Sequence, residues 1–119
     1  MKRTVVLGAS PNPQRYSHKA VLALDKHNHE VFPIGKREGK IGEIDIILEK
    51  PQIAYVHTFS MYLSIDNQLD YYDYIINTKP KRIIFNPGSE NSELAKLAQE
   101  AGITTENACT LVLLRIGAY

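Results

Sequence analysis

The sequence predicts one α/β domain over residues 1–119, built on a parallel β-sheet of about five strands. Five short runs of β-branched and aromatic residues recur along the chain, and segments with the apolar spacing of a helix separate them. This alternation is typical of strand–helix–strand units, whose right-handed crossovers place helices on both faces of the sheet. We therefore expect a three-layer, doubly wound, Rossmann-like fold with the strands in the order 3-2-1-4-5.

The predicted strands are apolar runs that end at turn-forming residues. The first, Thr4–Gly8, is short and β-branched, as expected of a strand buried on both faces. The others are predicted at Glu30–Gly35, Gln52–Phe59 and Lys81–Asn86, and the fifth begins within Gly102–Asn107. Ligands of such sheets bind beyond the carboxyl ends of the strands, near the switch in strand order. The segments that follow each strand are therefore the places to look for a site.

Helices are predicted between the strands. Ser17 is an expected N-cap for the first helix and Ser64 for the second, which Pro80 ends. The second helix is expected to bury Ile65, Leu69, Tyr72 and Ile76, and the third to bury Leu94, Leu97, Ala98 and Ala101. The segment Lys40–Lys50 fits a helical turn and a strand equally, so we interpret it as part of a crossover.

Charge and composition narrow the function classes. The net charge is +1 and no block of like charge occurs, so nucleic acid is not a predicted partner. The single cysteine, Cys109, excludes a disulfide within the chain, and a reducing, cytoplasmic setting is the default expectation. No apolar run approaches the ~20 residues needed to cross a membrane, so no membrane association is predicted.

The segment GASPNPQR, which follows the first strand, has the features of a phosphate-binding loop. Gly8 permits a tight turn, and the amides of Ala9 and Ser10 together with the next helix can face an anion. Ser17 adds a hydroxyl, and Arg15 supplies a forked, permanently charged donor. The alternative to phosphate binding is that the segment is an ordinary turn and that Arg15 is a solvated surface residue.

The loop lacks the dinucleotide fingerprint G-x-G-x-x-G, because Ser10 and Pro13 stand where two of its glycines belong. The acidic residue that would bind a free ribose is also missing, since Lys36 and Arg37 follow the second strand. Bases there favour a phosphorylated ribose, which disfavours NAD. NADP and coenzyme A both remain open.

Other chemistry-bearing residues have a structural interpretation that we favour. Cys109 is expected to be a buried thiol, and His57 a histidine that ends the third strand on the side of the site. No catalytic residue and no metal ligand is predicted. The open alternatives are a small NADP-dependent oxidoreductase and an interaction module with an empty pocket. The apolar tail after Cys109 and the tyrosine-rich second helix suggest a homodimer.

The first loop also carries a resemblance to a known family. The residues Gly8, Ala9, Ser10, Pro11, Asn12, Pro13, Arg15 and Ser17 resemble the opening of the stand-alone CoA-binding domain proteins. That family is similar to the N-terminal domain of the succinyl-CoA synthetase alpha subunit. Later motifs depart from the family, since Gly35 and Lys36 replace an Asn-Pro pair and Ser60 replaces an arginine.

The resemblance implies a binding site and a function. Gly8, Ala9, Ser10, Pro11, Arg15 and Ser17 would surround the phosphates of coenzyme A, and Pro33, Ile34 and Lys36 would lie by the adenosine. Phe59, Asn86, Pro87 and Gly88 would border the outer pocket. Asn86 and Pro87 follow the fourth strand, which lies beside the first in the expected order. The implied function is binding of coenzyme A or an acyl-CoA by a non-catalytic sensor, carrier or regulatory module.

Overall fold

A five-stranded parallel sheet forms the centre of the computed structural model, which describes every residue from Met1 to Tyr119. Its strands are β1 (Thr4–Leu7), β2 (Val31–Ile34), β5 (Thr58–Met61), β6 (Arg82–Phe85) and β7 (Thr104–Asn107). Two further strands, β3 (Lys40–Ile41) and β4 (Ile44–Asp45), form a separate antiparallel hairpin. The predicted α/β class with a five-stranded parallel sheet is confirmed.

The strand order differs from the prediction. The order is β2-β1-β5-β6-β7, so the third strand of the sheet, β5, lies between the first and the fourth and not beyond the second. Thr4 of β1 is opposite Val31 of β2 on one side and Thr58 of β5 on the other. Pro33 explains part of this order, because a proline in β2 lacks an N–H group and therefore suits an outer strand.

The segment after β2 is a hairpin rather than a helix. The side chain of Ile41 is fully buried, which anchors the hairpin against the face of the domain that carries the first helix. Beyond β4, Ile47 pairs in parallel with Ile34 and its N–H group donates to the Pro33 carbonyl at 2.8 Å. The carboxyl end of the outer strand β2 is therefore covered, whereas β7 pairs only with β6 and leaves the opposite edge open.

Four helices cover the two faces of the sheet. They are α1 (Tyr16–Lys26), α2 (Tyr72–Thr78), α3 (Ser92–Glu100) and α4 (Thr110–Arg115). Side chains of β1 alternate between the faces, so that Val5 joins the core under α2 and α3, and Val6 the core under α1 and α4. None of the helices has the length and the apolar character that a membrane crossing requires.

The segment predicted as a helix after Ser64 folds differently. It makes two 3₁₀ turns, Ile65–Asn67 and Leu69–Tyr71, before α2 begins. Ile65 and Leu69 are exposed rather than buried. The fully buried side chain here is Gln68, which donates to the Leu63 carbonyl at 2.9 Å and to the Ser89 carbonyl at 2.8 Å. These two bonds satisfy one carbonyl before the 3₁₀ turns and one after β6, and they hold the chain in the 3₁₀ turns.

Two further boundaries depart from the prediction. Helix α1 begins at Tyr16, so Ser17 lies inside the first turn and is not its cap. The third strand of the sheet begins at Thr58, six residues later than predicted, which places His57 at the amino edge of the sheet and not on the side of the ligand site.

Candidate functional site

A cavity of about 570 Å³ opens at the carboxyl ends of β1 and β2. Four segments form it: the loop after β1, the bend after β2, the segment after β5 and Pro87 after β6. This position is the switch point of the sheet, because the strands that follow β1 in sequence lie on opposite sides of it. Its lining residues are Gly8, Ala9, Ser10, Pro11, Asn12, Gln14, Arg15, Tyr16, Ser17, Ile34, Gly35, Lys36, Arg37, Tyr62, Leu63, Tyr71 and Pro87.

Gly8 lets the loop after β1 turn tightly. Its φ angle is +99°, and a Cβ atom there would stand 3.0 Å from the amide nitrogen of Leu63. The N–H groups of Gly8 and Ala9 both donate to the Ile34 carbonyl at 2.9 Å. A side chain at this position would be strained by the backbone angle and crowded by Leu63. The glycine therefore brings three segments of the cavity wall together.

Local hydrogen bonds shape the rest of the loop. The amide of Asn12 donates to the Ser10 hydroxyl at 3.1 Å, and the amide of Gln14 donates to the Asn12 side-chain oxygen at 3.0 Å. The buried His18 of α1 donates from Nδ1 to the Ser10 carbonyl at 2.9 Å. These bonds order the loop without a ligand, and preorganisation of this kind lowers the entropy cost of binding.

Three residues of the cavity lining have amides with no acceptor within the protein: Ser10, Tyr16 and Ser17. The amide of His18, the next residue in the first turn of α1, is free as well. The Arg15 N-cap makes no side-chain capping bond to them. Exposed N–H groups at a helix N-terminus carry partial positive charge and bind anions. This wall of the cavity is therefore suited to a phosphate group.

The charged lining is entirely positive. Arg15, Lys36 and Arg37 line the cavity, and none of them takes part in an ion pair. No aspartate or glutamate is among the lining residues. Clustered cations without internal partners create a positive potential that attracts and retains anionic ligands.

The end of the cavity away from these cations is aromatic and apolar. Tyr62, Leu63, Tyr71 and Pro87 form it. Burial raises the pKa of the Tyr62 phenol, and its hydroxyl is enclosed without a hydrogen-bond partner. The ring thus stays uncharged, and the cavity runs from a cationic end to a neutral end.

The structure brings most of the predicted site residues together. Those that line the cavity are Gly8, Ala9, Ser10, Pro11, Arg15, Ser17, Ile34, Lys36 and Pro87. Four others do not: Pro33 lies within β2, Phe59 is fully buried in the core, and Asn86 and Gly88 lie outside the lining. The fourth strand, β6, does not adjoin β1 as expected, so Pro87 reaches the cavity past the end of β5.

Asn86 has a structural role that accounts for its position outside the cavity. Its side-chain nitrogen donates to the Ser60 hydroxyl and to the Met61 carbonyl, both at 2.9 Å. Its side-chain oxygen accepts from the Thr110 amide at 2.8 Å. The residue is 1% exposed, and these bonds tie β6 to β5 and to α4.

Several lining residues were not predicted as site residues. They are Asn12, Gln14, Tyr16, Gly35, Arg37, Tyr62, Leu63 and Tyr71, although Arg37 had been noted as a base after the second strand. The sequence prediction misses Tyr62 and Leu63 because it ends the third strand at Phe59, two residues before the observed end at Met61. The run TFSMYL carried the signal, since it continues the apolar pattern past Phe59.

Two other candidate residues lie outside the cavity lining. His57 bonds through Nδ1 to the Thr58 hydroxyl at 2.7 Å, and burial and then the nearby Arg82 lower its pKa. Cys109 is a half-buried free thiol at the N-cap of α4. No group of three or more histidine, cysteine, aspartate or glutamate side chains could hold a metal ion.

Comparison with known proteins gives a family and a set of similar folds. The profile of the CoA binding domain family matches residues 2–115. The crystal structure of an uncharacterized protein is 44% identical, with a TM-score of 0.98 over 100% of this chain and 98% of that one. Comparison with curated proteins finds no match.

Two more distant structures show the fold alone. A Thermus thermophilus protein is 17% identical, with a TM-score of 0.85 over 99% of this chain and 90% of that one. The dinucleotide-forming acetyl-coenzyme A synthetase 1 of Ca. Korarchaeum cryptofilum, solved with phosphate and ADP, is 16% identical with a TM-score of 0.71. The alignment covers 87% of this chain and 25% of the synthetase.

Proposed function

The chain belongs to the CoA-binding domain family, and on this premise we propose that it binds coenzyme A or an acyl-CoA in the cavity after β1. One observation carries the proposal: the cavity lining joins three free amides to three unpaired cations and contains no carboxylate. Coenzyme A presents a diphosphate and a ribose phosphate, so its charge complements this lining. The alternative, an ordinary turn with a solvated arginine, does not account for Lys36 and Arg37 in the same cavity lining.

The proposal assigns the phosphates to the cationic end. Arg15, the Ser10 and Ser17 hydroxyls and the free amides would hold the diphosphate, since arginine and helix N-termini both suit phosphate oxygens. Lys36 and Arg37 would lie by the adenosine and its ribose phosphate. Support for this division is that the bend carrying both cations starts directly after Gly35, at the end of β2.

A non-catalytic role as sensor, carrier or regulatory module is part of the proposal. The lining contains no histidine, carboxylate or thiol that could serve as a general base of ordinary pKa. Of the two tyrosines that line the apolar end, Tyr62 has its pKa raised by burial. Binding alone is the function that this set of side chains supports.

NADP is the second candidate ligand, because Lys36 and Arg37 would suit its ribose phosphate as well.

A thermal-shift series with coenzyme A, dephospho-CoA, NADP and NAD distinguishes the two candidate ligands. At ~100 times its Kd a ligand adds about 2.7 kcal/mol of stability, which is of order 10 °C for a domain of this size. We expect a shift with coenzyme A, a smaller one with dephospho-CoA and none with NAD. A shift with NADP alone would redirect the assignment to a reductase, and no shift with any ligand would overturn it.

The acyl-CoA part of the proposal rests on the segment between Leu63 and Tyr71. Both of these residues line the apolar end of the cavity, and the turns between them expose Ile65 by 52% and Leu69 by 65%. A chain emerging there would cover apolar surface, and each buried methylene contributes ~0.8 kcal/mol. We expect octanoyl-CoA to bind at least about tenfold more tightly than coenzyme A. The Leu69→Ser variant should lose that difference, whereas Leu97→Ser on α3 should keep it. Equal affinity for the two ligands would restrict the proposal to coenzyme A itself.

A further inference from the structure

The segment that leads from β2 into the hairpin, residues 35–39, touches the loop after β1 through two glycines. A Cβ atom on Gly35 would stand 2.2 Å from the carbonyl oxygen of Ala9 and 3.1 Å from its carbonyl carbon. A Cβ atom on Gly39 would stand 2.8 Å from Cβ of Pro11. Real Cβ atoms essentially never approach other heavy atoms so closely. This segment and the loop after β1 therefore meet where only glycine fits.

Gly35 is required by space and not by a turn. Its φ angle lies outside the left-handed region, so its backbone is open to any residue. The atom that a side chain would meet is main chain, which cannot rotate away as a flexible side chain can. The close approach of two backbones is thus the specific reason for a glycine here.

The segment from Gly35 to Ile41 is fixed at both ends, so the Gly35 contact decides where Lys36 and Arg37 stand. On one side the Gly35 amide donates to the Ile47 carbonyl at 3.0 Å, beside the paired Ile34 and Ile47. On the other side Ile41 is fully buried in the core. Lys36 and Arg37 immediately follow Gly35, and a displacement at the glycine would move both from the cavity.

We propose that Gly35 is a positioning residue that sets the reach of Lys36 and Arg37, and so makes binding depend on the phosphate on the ligand's ribose. This inference rests on the proposed function, because it names the part of the same ligand that this segment selects.

The test compares Gly35→Ala with the unmodified protein by calorimetric titration of coenzyme A and dephospho-CoA. Hydrogen bonds to charged groups change binding by about 10- to 100-fold, so the unmodified protein should prefer coenzyme A by that ratio. In Gly35→Ala the ratio should fall to about threefold or less, with a smaller change in the affinity for dephospho-CoA. The double substitution Lys36→Ala and Arg37→Ala should lower the affinity for coenzyme A when it is made in the unmodified protein. The same double substitution should change that affinity little when it is made in the Gly35→Ala variant.

A matched glycine controls for general strain. Gly102 follows α3 outside the cavity lining and has a φ angle of +83°, so Gly102→Ala should lower the melting temperature and leave the ligand ratio intact. If Gly35→Ala does not fold, Gly39→Ala at the Pro11 contact provides the same readout. The inference would be overturned if the folded variant kept the preference of the unmodified protein for coenzyme A over dephospho-CoA. It would also be overturned if the unmodified protein bound coenzyme A but bound dephospho-CoA equally well. Failure of the unmodified protein to bind coenzyme A would overturn the proposed function instead.

Discussion

The two ends of the sheet both carry cations, but they use them differently. At the amino ends, Arg3 pairs with Glu30 at 2.5 Å, and Arg82 donates to the Thr58 hydroxyl at 3.0 Å and to the main-chain oxygen of Tyr119 at 3.1 Å. Lys2 also donates to that Tyr119 oxygen, at 2.5 Å. Cations at this end are bound by acceptors of the protein itself.

At the carboxyl ends, Arg15, Lys36 and Arg37 have no such acceptors. The contrast shows that the placement of a cation matters more than its presence, since a cation with internal partners stabilises the fold and one without them remains available to a ligand. Substitutions at the two ends should accordingly separate ligand affinity from folding stability.

The largest expected effect is on ligand affinity at the carboxyl end. Arg15→Ala should weaken coenzyme A binding by about 10- to 100-fold, because it removes a charged hydrogen-bond donor to phosphate. The free energy of unfolding of the unliganded protein should change by no more than ~0.5 kcal/mol, since Arg15 is exposed and unpaired. Titration calorimetry and urea denaturation measure the two quantities. Unchanged affinity would remove Arg15 from the site, and Arg15→Lys, which keeps the charge but loses the fork, should be intermediate.

The reverse pattern is expected at the amino end. Arg82→Met should lower the free energy of unfolding by about 1–3 kcal/mol, because Thr58 and Tyr119 lose a charged donor and the Tyr119 ring loses the guanidinium 4.5 Å from its centre. One guanidinium nitrogen, Nη2, is buried without a partner, and its removal offsets part of this loss. Thermal melts and ligand titration on the folded variant check the contrast. A stable Arg82→Met protein with reduced ligand affinity would contradict it.

A smaller effect is expected from the support beneath the loop. His18→Phe removes the 2.9 Å bond to the Ser10 carbonyl, so the loop should lose order and coenzyme A affinity should fall about 2- to 10-fold. His27→Phe is the matched control, because His27 makes a similar 2.8 Å bond to the Ala23 carbonyl at the far end of α1. Equal affinities in the two variants would show that the loop keeps its form without His18.

The smallest expected effect is a pH dependence at the amino end. Burial and the neighbouring cations Arg82, Lys2 and Lys81 lower the pKa of His57 in the folded protein. The unfolded chain then binds more protons below pH ~6.5, so the free energy of unfolding should fall as the pH falls from about 7 to 5. His57→Gln should make that decline shallower. Denaturation curves at several pH values test this, and identical slopes in the two proteins would contradict it.

Local signals predicted the first loop, whereas the arrangement of the strands needed tertiary information. Part of the form of GASPNPQR comes from bonds between residues two positions apart, such as Asn12 with Ser10, which are local in the sequence. The third strand of the sheet was misplaced because it buries polar residues. Ser60 and Thr58 are fully buried there, and their hydroxyls bond to Thr110 and Arg82. Those partners lie more than twenty residues away, so no local pattern reveals them.

The strand order had a weaker signal. Pro33 favours an outer strand, but a proline excludes only one position and does not choose among the remaining orders. The aromatic end of the cavity depended on the strand's end as well as on its place, because Tyr62 and Leu63 directly follow Met61 and not Phe59. An error in one strand therefore hid these two residues of the site.

The two outer edges of the sheet differ in how much backbone they leave unpaired. Ile47 pairs with Ile34 and covers the carboxyl end of β2, whereas β7 has no neighbour beyond β6 along its length. An exposed strand offers unpaired backbone groups to another polypeptide. The edge at β7 therefore offers an added strand a longer row of free backbone groups than the edge at β2.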